Sequence, residues 1–156
     1  MELMMSGSEP SVKEAAEFEK IEGDTISPTL SAYIGNIPAA SGLEFCESNK
    51  GYVSLKLNYK PDLNNPLGII YGGAIATLID TAAVFTMYSD VDRQPKSAIT
   101  LGMNIQYLNA ALGIDLIAHA NVLKMGKTIG FAQVIVEDPI SKKMIAQGEL
   151  SFSLIY

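Results

Sequence analysis

The sequence predicts an α+β fold in which an antiparallel β-sheet wraps around one long central α-helix. Three observations support this prediction. The stretch from Gly72 to Tyr88 contains one charged residue, Asp80, and is apolar on nearly all sides. One alternating strand precedes it, and four strand-like segments follow it. A helix that is apolar all round must be buried, and a curved sheet is the expected cover.

The chain has 156 residues, of which 48% are hydrophobic and 18% charged. This composition is typical of a folded domain with a substantial core. We divide the chain into an N-terminal helical and loop extension, residues 1–40, and a main domain, residues 41–156. Within the extension, four apolar residues at helical spacing favour a short helix over residues 11–22, and a loop rich in glycine and proline follows.

The strand before the central helix, Tyr52–Tyr59, alternates between apolar and polar residues, which is the period of a half-buried strand. A turn at Asn64–Pro66 ends it. After the helix, four segments are rich in apolar and β-branched residues: 97–108, 113–124, 128–137 and 143–155. Turn-like stretches at Met125–Lys127 and Asp138–Lys142 separate the last three. We therefore expect the four to form an antiparallel meander in chain order.

Charge and cysteine content exclude several classes of function. The net charge is −6, and the 11 lysines and arginines are dispersed, so no nucleic-acid partner is expected. One cysteine, Cys46, and one histidine, His119, leave no basis for a disulfide or a metal cluster within the chain. His119 is interpreted as a strand residue with a satisfied ring. No secretory leader or spanning segment is visible, so we expect a cytoplasmic protein without a membrane span.

Asp80 is the first candidate for chemistry, since it is the only charge between Asp62 and Asp90. Burial of a carboxylate is costly unless the group is hydrogen-bonded, paired or protonated. A chain that keeps one in a buried-looking helix is expected to use it. The alternative is a narrow polar stripe on the helix, shared with Thr77 and Thr81.

The helix start is the second candidate. Gly72 and Gly73 would leave backbone N–H groups exposed and would let a ligand approach the backbone closely. Such donors and the helix dipole stabilise negative charge on an oxygen. The alternative is that the two glycines only permit close packing of the helix against a strand.

The segment Asn65–Asp80 resembles a known motif without a gap. The motif is Asn-x-x-Gly-x-x-His-Gly-Gly-x-x-x-x-Leu-x-Asp, found in hotdog-fold acyl-CoA thioesterases of the phenylacetate-degradation (PaaI-like) type. Three shorter stretches resemble other parts of that family: Met103–Leu108, Lys124–Ile129 and Ala146–Gly148. The resemblance covers about residues 45–156. It departs at Tyr71, where the family has histidine.

The resemblance implies a metal-independent hydrolase that cleaves an acyl- or aryl-CoA to the free acid and coenzyme A, with no further cofactor. By position in the motif, Asp80 would be the general base or nucleophile. The Gly72 N–H would contact the thioester carbonyl, and Asn65 would orient that carbonyl or the attacking water. Thr100 falls near a family hydroxyl that assists the water.

The resemblance also suggests where the substrate binds. Tyr71 and Gly73 would lie beside the carbonyl, and Lys124 and Lys127 would lie near the coenzyme A phosphates, with a solvated hairpin tip as the alternative for the lysines. In this family the catalytic carboxylate and the helix start face each other across a subunit interface. The chain is therefore expected to form a homodimer or a dimer of dimers (a homotetramer).

Two other functions remain open from the sequence. The replacement of histidine by Tyr71 is consistent with a non-catalytic hotdog protein that binds acyl-CoA or fatty acyl ligands. A hotdog hydratase or dehydratase is less favoured, because such sites need an acid–base pair and no histidine lies near Asp80 in the motif.

Overall fold

The computed structural model describes residues 42–156. The predicted N-terminal extension, with its helix over residues 11–22, lies outside the described residues. Within the described part, the helix α1 spans Gly72–Met87. Six strands are present: β1 Leu43–Asn49, β2 Tyr52–Leu57, β3 Ser97–Tyr107, β4 Leu116–Met125, β5 Ile129–Glu137 and β6 Met144–Ile155. Two short 3-10 helices span Pro61–Leu63 and Val91–Arg93.

The strands form one antiparallel sheet in the order β1-β2-β4-β5-β6-β3. The predicted four-strand meander is therefore wrong in one respect. Only β4, β5 and β6 follow one another, whereas β3 pairs with β6 at the far edge and β4 pairs with β2. The connection between Tyr107 and Leu116 is longer than a hairpin loop, so it lets the chain leave the edge and return to the middle of the sheet.

Strand β1 was not predicted. It pairs with β2 and places Leu43 and Phe45 opposite Leu57 and Leu55. A bulge between Phe45 and Glu47 shifts the register by one residue. The extra residue interrupts the apolar alternation, so the period-2 signal is lost from the sequence.

The central helix has a closed side and an open stripe. On the closed side, residues such as Leu78, Ile79 and Ala82 have no exposed surface and pack under the sheet. The open stripe consists of Thr77, Asp80 and Val84, which are only partly buried by this chain. The expectation of full burial therefore holds for most of the helix but fails along this stripe.

Strand β3 crosses the helix beside the open stripe. Its inward residues Thr100, Met103 and Tyr107 lie opposite Phe152, Leu150 and Ala146 of β6, whose side chains face the core. A bulge at Leu101 shifts the register near its start. Its other edge has no strand partner among residues 42–156. No helix in this part of the chain is long and apolar enough to cross a membrane.

Candidate active site

Asp80 is held by a strand hydroxyl. The Oγ1 of Thr100 donates a hydrogen bond to Asp80 Oδ1 at 2.8 Å. This bond is the only side-chain interaction that the described residues give Asp80. The bond fixes one carboxylate oxygen and leaves Oδ2 without a protein partner in residues 42–156. The structure therefore brings together two residues that the sequence predicts to share a site.

The start of α1 offers two backbone donors. Tyr71 is the N-cap residue, and its side chain makes no capping bond. The N–H groups of Ala74 and Ile75 both donate to the Tyr71 carbonyl, at 2.9 and 3.4 Å. Among the described residues, no bond from the N–H of Gly72 or Gly73 is found. These two donors, at the positive end of the helix dipole, suit an oxygen that gains negative charge.

Asn65 shapes the loop that leads into the helix. Its side-chain oxygen accepts bonds from the backbone N–H of Leu67 (2.9 Å) and of Ile69 (3.2 Å). Its backbone also bonds with Gly68, which has a φ of +77°, and with Ile69. Asn65 therefore acts as a turn former in the loop before α1. Only its side-chain nitrogen remains for a substrate or water.

Tyr71 lies against the helix start. Its ring rests over Gly73, so closely that a Cβ at position 73 would collide with it. The side chain is nevertheless 62% exposed. The predicted substrate-binding pair of Tyr71 and Gly73 is thus in direct contact, and a side chain at position 73 would displace the ring of Tyr71.

Tyr107 is a site residue that the sequence analysis did not single out. Its hydroxyl donates a hydrogen bond to the Gly72 carbonyl at 3.0 Å. Its ring lies 3.4–3.5 Å from where a Cβ of Gly72 would be. Partial burial, and secondarily the nearby Tyr71 phenol, raise the pKa of Tyr107 above its usual value, so the hydroxyl keeps its proton near neutral pH. The sequence did contain a signal, because Tyr107 is the second-last residue of the stretch Met103–Leu108 that resembles the family.

A cavity of about 300 Å³ opens beside Gly72. Its wall is mostly apolar, and its residues come from the loop before α1, the first turn of α1 and the segment after β3: Ile69, Ile70, Ile75, Leu108 and Ala111 among them. Tyr107 and Asn109 add polar atoms. The size and lining suit a small or medium apolar group whose polar end lies at the helix start.

The two halves of the predicted site are separated within one chain. Asp80 lies eight residues beyond Gly72, which corresponds to about 12 Å along the helix axis. Their contacts on β3, Thr100 and Tyr107, are seven residues apart, or about 20 Å along the strand. One molecule therefore does not bring the carboxylate to the Gly72 N–H.

Lys124 and Lys127 lie at the other end of the helix. They flank the β4–β5 turn, where Gly130 packs beside Met87, the last residue of α1. Both lysines are exposed. The turn is held by Arg93, whose guanidinium donates to the carbonyls of Met125 (3.0 Å) and Gly126 (2.8 Å). Within one chain, these lysines are not near Gly72.

The single histidine and the single cysteine lie away from this site. Nδ1 of His119 is 2.8 Å from the Tyr52 hydroxyl, and Nε2 is 3.4 Å from Glu137 Oε1, so both ring nitrogens have partners. This confirms the structural interpretation of His119. Cys46 is exposed at the β1 bulge, and partial burial of its thiol raises the pKa, which disfavours the reactive thiolate.

Comparison with known proteins identifies the family. A family model described as the thioesterase superfamily matches residues 67–145, more than half of the chain. The chain belongs to the thioesterase superfamily. Human acyl-coenzyme A thioesterase 13 is 33% identical to it over 99 residues, which are 63% of this chain and 69% of the human protein.

Solved structures of similar proteins have the same fold. Zebrafish thioesterase superfamily member 2 is 31% identical, with a TM-score of 0.69 over 80% of this chain and 90% of the zebrafish chain. The Escherichia coli PaaI protein from the phenylacetic acid degradation operon is 21% identical, with a TM-score of 0.72 over 81% of this chain and 89% of that chain. The prediction of a hotdog fold and the prediction of a thioesterase family are thereby both confirmed.

Proposed function

We propose that the protein hydrolyses acyl- or aryl-CoA thioesters in an active site built from two copies of the chain. The observation that carries this proposal is the hydrogen bond between Thr100 and Asp80 on the open stripe, beside an edge strand that has no strand partner within residues 42–156. The carboxylate is fixed in place but faces a side of the molecule that residues 42–156 leave uncovered. Membership of the thioesterase superfamily supports the reaction class.

The edge strand supports pairing with a second copy. Along β3, Ile99, Leu101 and Tyr107 are each more than half exposed. A long apolar edge strand is a ready template for pairing with another chain. If two β3 strands pair antiparallel about a two-fold axis through Asn104, the bulge at Leu101 brings Thr100 of each copy opposite Tyr107 of the other. Asp80 of one copy would then approach Gly72 of the other.

In this arrangement each half supplies a different part of the reaction. The N–H groups of Gly72 and Gly73 hold the thioester carbonyl oxygen as it becomes negative. Asp80 accepts a proton from water while the water oxygen bonds to the carbonyl carbon. When the carbon–sulfur bond breaks, that proton goes to the leaving thiolate. The products are a carboxylic acid and the coenzyme A thiol.

Asp80 is also suited to attack the carbonyl carbon directly. The carbon–sulfur bond would break to give a mixed anhydride, which water then opens. Both routes use the same atoms and give the same products. Hydrolysis in ¹⁸O-labelled water under single-turnover conditions separates them when water opens the anhydride at the Asp80 carbonyl carbon, because the label then stays in Asp80 and an unlabelled Asp80 oxygen leaves with the acid.

The remaining assignments complete the proposal. The acyl or aryl group occupies the cavity beside Gly72, and the free side-chain nitrogen of Asn65 orients the carbonyl or the water. Lys124 and Lys127 contact the coenzyme A phosphates. Coenzyme A enters as part of the substrate, and no metal or further cofactor is proposed for a chain with one histidine and one cysteine. The proposed assembly is a homodimer or dimer of dimers in the cytoplasm.

Thiol release from a panel of acyl- and aryl-CoA substrates tests this function. Asp80→Asn and Asp80→Ala are expected to lower kcat by about 10²–10⁴, the usual contribution of a general base. Melting temperatures of both variants should stay close to that of the wild type, since Asp80 is only partly buried. Turnover that survives both substitutions would contradict the assigned role of Asp80.

A second function, binding without turnover, is favoured by one observation. Tyr71 stands where the motif has histidine, and its ring covers Gly73 at the helix start. A dedicated binder would take up acyl-CoA in calorimetry and release no thiol from any panel member. The variant Tyr71→His separates the cases, because it should confer turnover on a protein that has lost catalysis and should leave a dedicated binder inactive.

A further inference from the structure

We propose that Tyr107 is a positioning residue for the thioester carbonyl site, acting through the peptide group that joins Gly72 and Gly73. This inference rests on the proposed function. It adds a residue to which no role in the reaction is assigned above. It also explains why the end of an edge strand is tied to the first residue of the helix.

The hydrogen bond from Tyr107 reaches the carbonyl of Gly72 at 3.0 Å. That carbonyl belongs to the same planar peptide unit as the N–H of Gly73. The bond therefore fixes the orientation of the N–H as well as that of the carbonyl. Because hydrogen bonds at the two ends of one peptide polarise each other, it also makes the Gly73 N–H a stronger donor.

This peptide needs an external support. Two successive glycines have more backbone freedom than any other pair of residues. The helix start has no side-chain cap, because the Tyr71 side chain makes no capping bond. The first turn of α1 and a tyrosine on a different element therefore both hold the peptide between Gly72 and Gly73.

Tyr107 is itself well placed to provide that support. It is paired with Ala146 of β6 through the sheet, so its backbone is fixed. Its ring lies in van der Waals range of the space above Gly72. The raised pKa of its phenol keeps the hydroxyl protonated, and thus able to donate, throughout the neutral and mildly alkaline range.

The variant Tyr107→Phe tests the inference, since it removes the hydroxyl and keeps the ring. We expect kcat for acyl-CoA hydrolysis to fall about 3- to 10-fold, less than for loss of a whole carbonyl donor, with KM changed less than about 2-fold. The matched control is Tyr52→Phe, which removes a hydroxyl bonded at 2.8 Å to His119 on the other face of the sheet. The control should leave both constants unchanged.

A second measurement does not depend on turnover. In ¹⁵N–¹H spectra, the amide resonance of Gly73 should move in Tyr107→Phe and stay in place in Tyr52→Phe, because only the first variant removes a bond to its peptide carbonyl. An unmoved Gly73 resonance overturns the inference, whatever the rate constants are.

The possible results distinguish this inference from the proposed function on which it rests. An active wild type with an equally active Tyr107→Phe overturns the role of Tyr107 and leaves the proposed function standing. A wild type that hydrolyses no member of the acyl-CoA panel overturns the proposed function, and the role of Tyr107 in catalysis with it. A fall in kcat together with a shifted Gly73 resonance supports the inference.

Discussion

The two sides of α1 differ in how deeply their side chains are buried. On the closed side, Leu78 and Ile79 are completely buried beneath the sheet. On the open stripe, Asp80 is only partly covered, and one of its carboxylate oxygens has no partner in the described part of the chain. One helix thus holds the fold together on one side and presents a reactive group on the other. Stability and chemistry can therefore be perturbed separately.

The largest effect on stability is expected from a pair of truncations on the two sides of this helix. Leu78→Ala removes a side chain with no exposed surface and should lower the free energy of unfolding by about 2–5 kcal/mol. Val84→Ala, on the open stripe, should cost about 1 kcal/mol or less, since Val84 is only partly buried. Urea denaturation of both variants measures the difference. Equal losses would mean that the open stripe is as tightly packed as the closed side.

An intermediate effect is expected where a glycine lies against the helix. A Cβ at Gly148 of β6 would come within 2.7 Å of Ile79 Cγ2, and Ile79 is fully buried. Gly148→Ala should therefore destabilise the fold by about 1–3 kcal/mol through overpacking.

Its matched control lies on the edge strand. A Cβ at Gly102 of β3 would meet only Ser151 Oγ, at an ordinary 3.5 Å. Gly102→Ala should change stability by no more than about 0.5 kcal/mol. Thermal melts of the two variants give the comparison, and a Gly102→Ala loss as large as that of Gly148→Ala would contradict it.

The smallest effect on the stability of a single chain is expected at the unpaired edge. Leu101 is 59% exposed on β3, so Leu101→Lys should alter the free energy of unfolding of a dilute chain by no more than about 0.5 kcal/mol. The same charge should nevertheless oppose pairing of two β3 strands. Analytical ultracentrifugation should show a shift towards monomer, with a matching loss of thioesterase activity.

Ile140→Lys is the control for that charge. Ile140 lies in the β5–β6 turn and is more exposed than Leu101. The variant Ile140→Lys should leave both the assembly and the thioesterase activity unchanged. A Leu101→Lys protein that stays assembled and fully active would contradict the proposed pairing of edge strands.

The parts of the fold that the sequence predicts are those with an uninterrupted local pattern. The apolar run of α1 and the strict alternation of β2 both appear where expected. β1 was missed because a bulge at Cys46 breaks its alternation. The position of β3 at the sheet edge was missed because pairing between distant strands leaves no local periodicity, and short turns favour neighbours in chain order.

The candidate site also divides into residues that the sequence predicts and contacts that it does not predict. The motif spacing and the resemblance imply that Asp80 and Gly72 act together across two subunits, and in the fold they lie about 12 Å apart along one helix. Thr100 was expected on weak positional grounds, and its hydrogen bond to Asp80 depends on the register of a strand twenty residues later. Tyr107 was missed for a related reason, because its contact with Gly72 joins two elements that are distant in sequence.

The distance between the two halves of the site has a genetic consequence. Under the proposed pairing, a variant that lacks the Asp80 carboxylate and another that blocks the Gly73 N–H with a larger side chain are each inactive alone. A mixed assembly of the two would contain one site with both defects and one site with neither. Co-expression of the two inactive variants should therefore restore part of the thioesterase activity, in proportion to the fraction of mixed pairs. A site contained within one chain would show no such complementation.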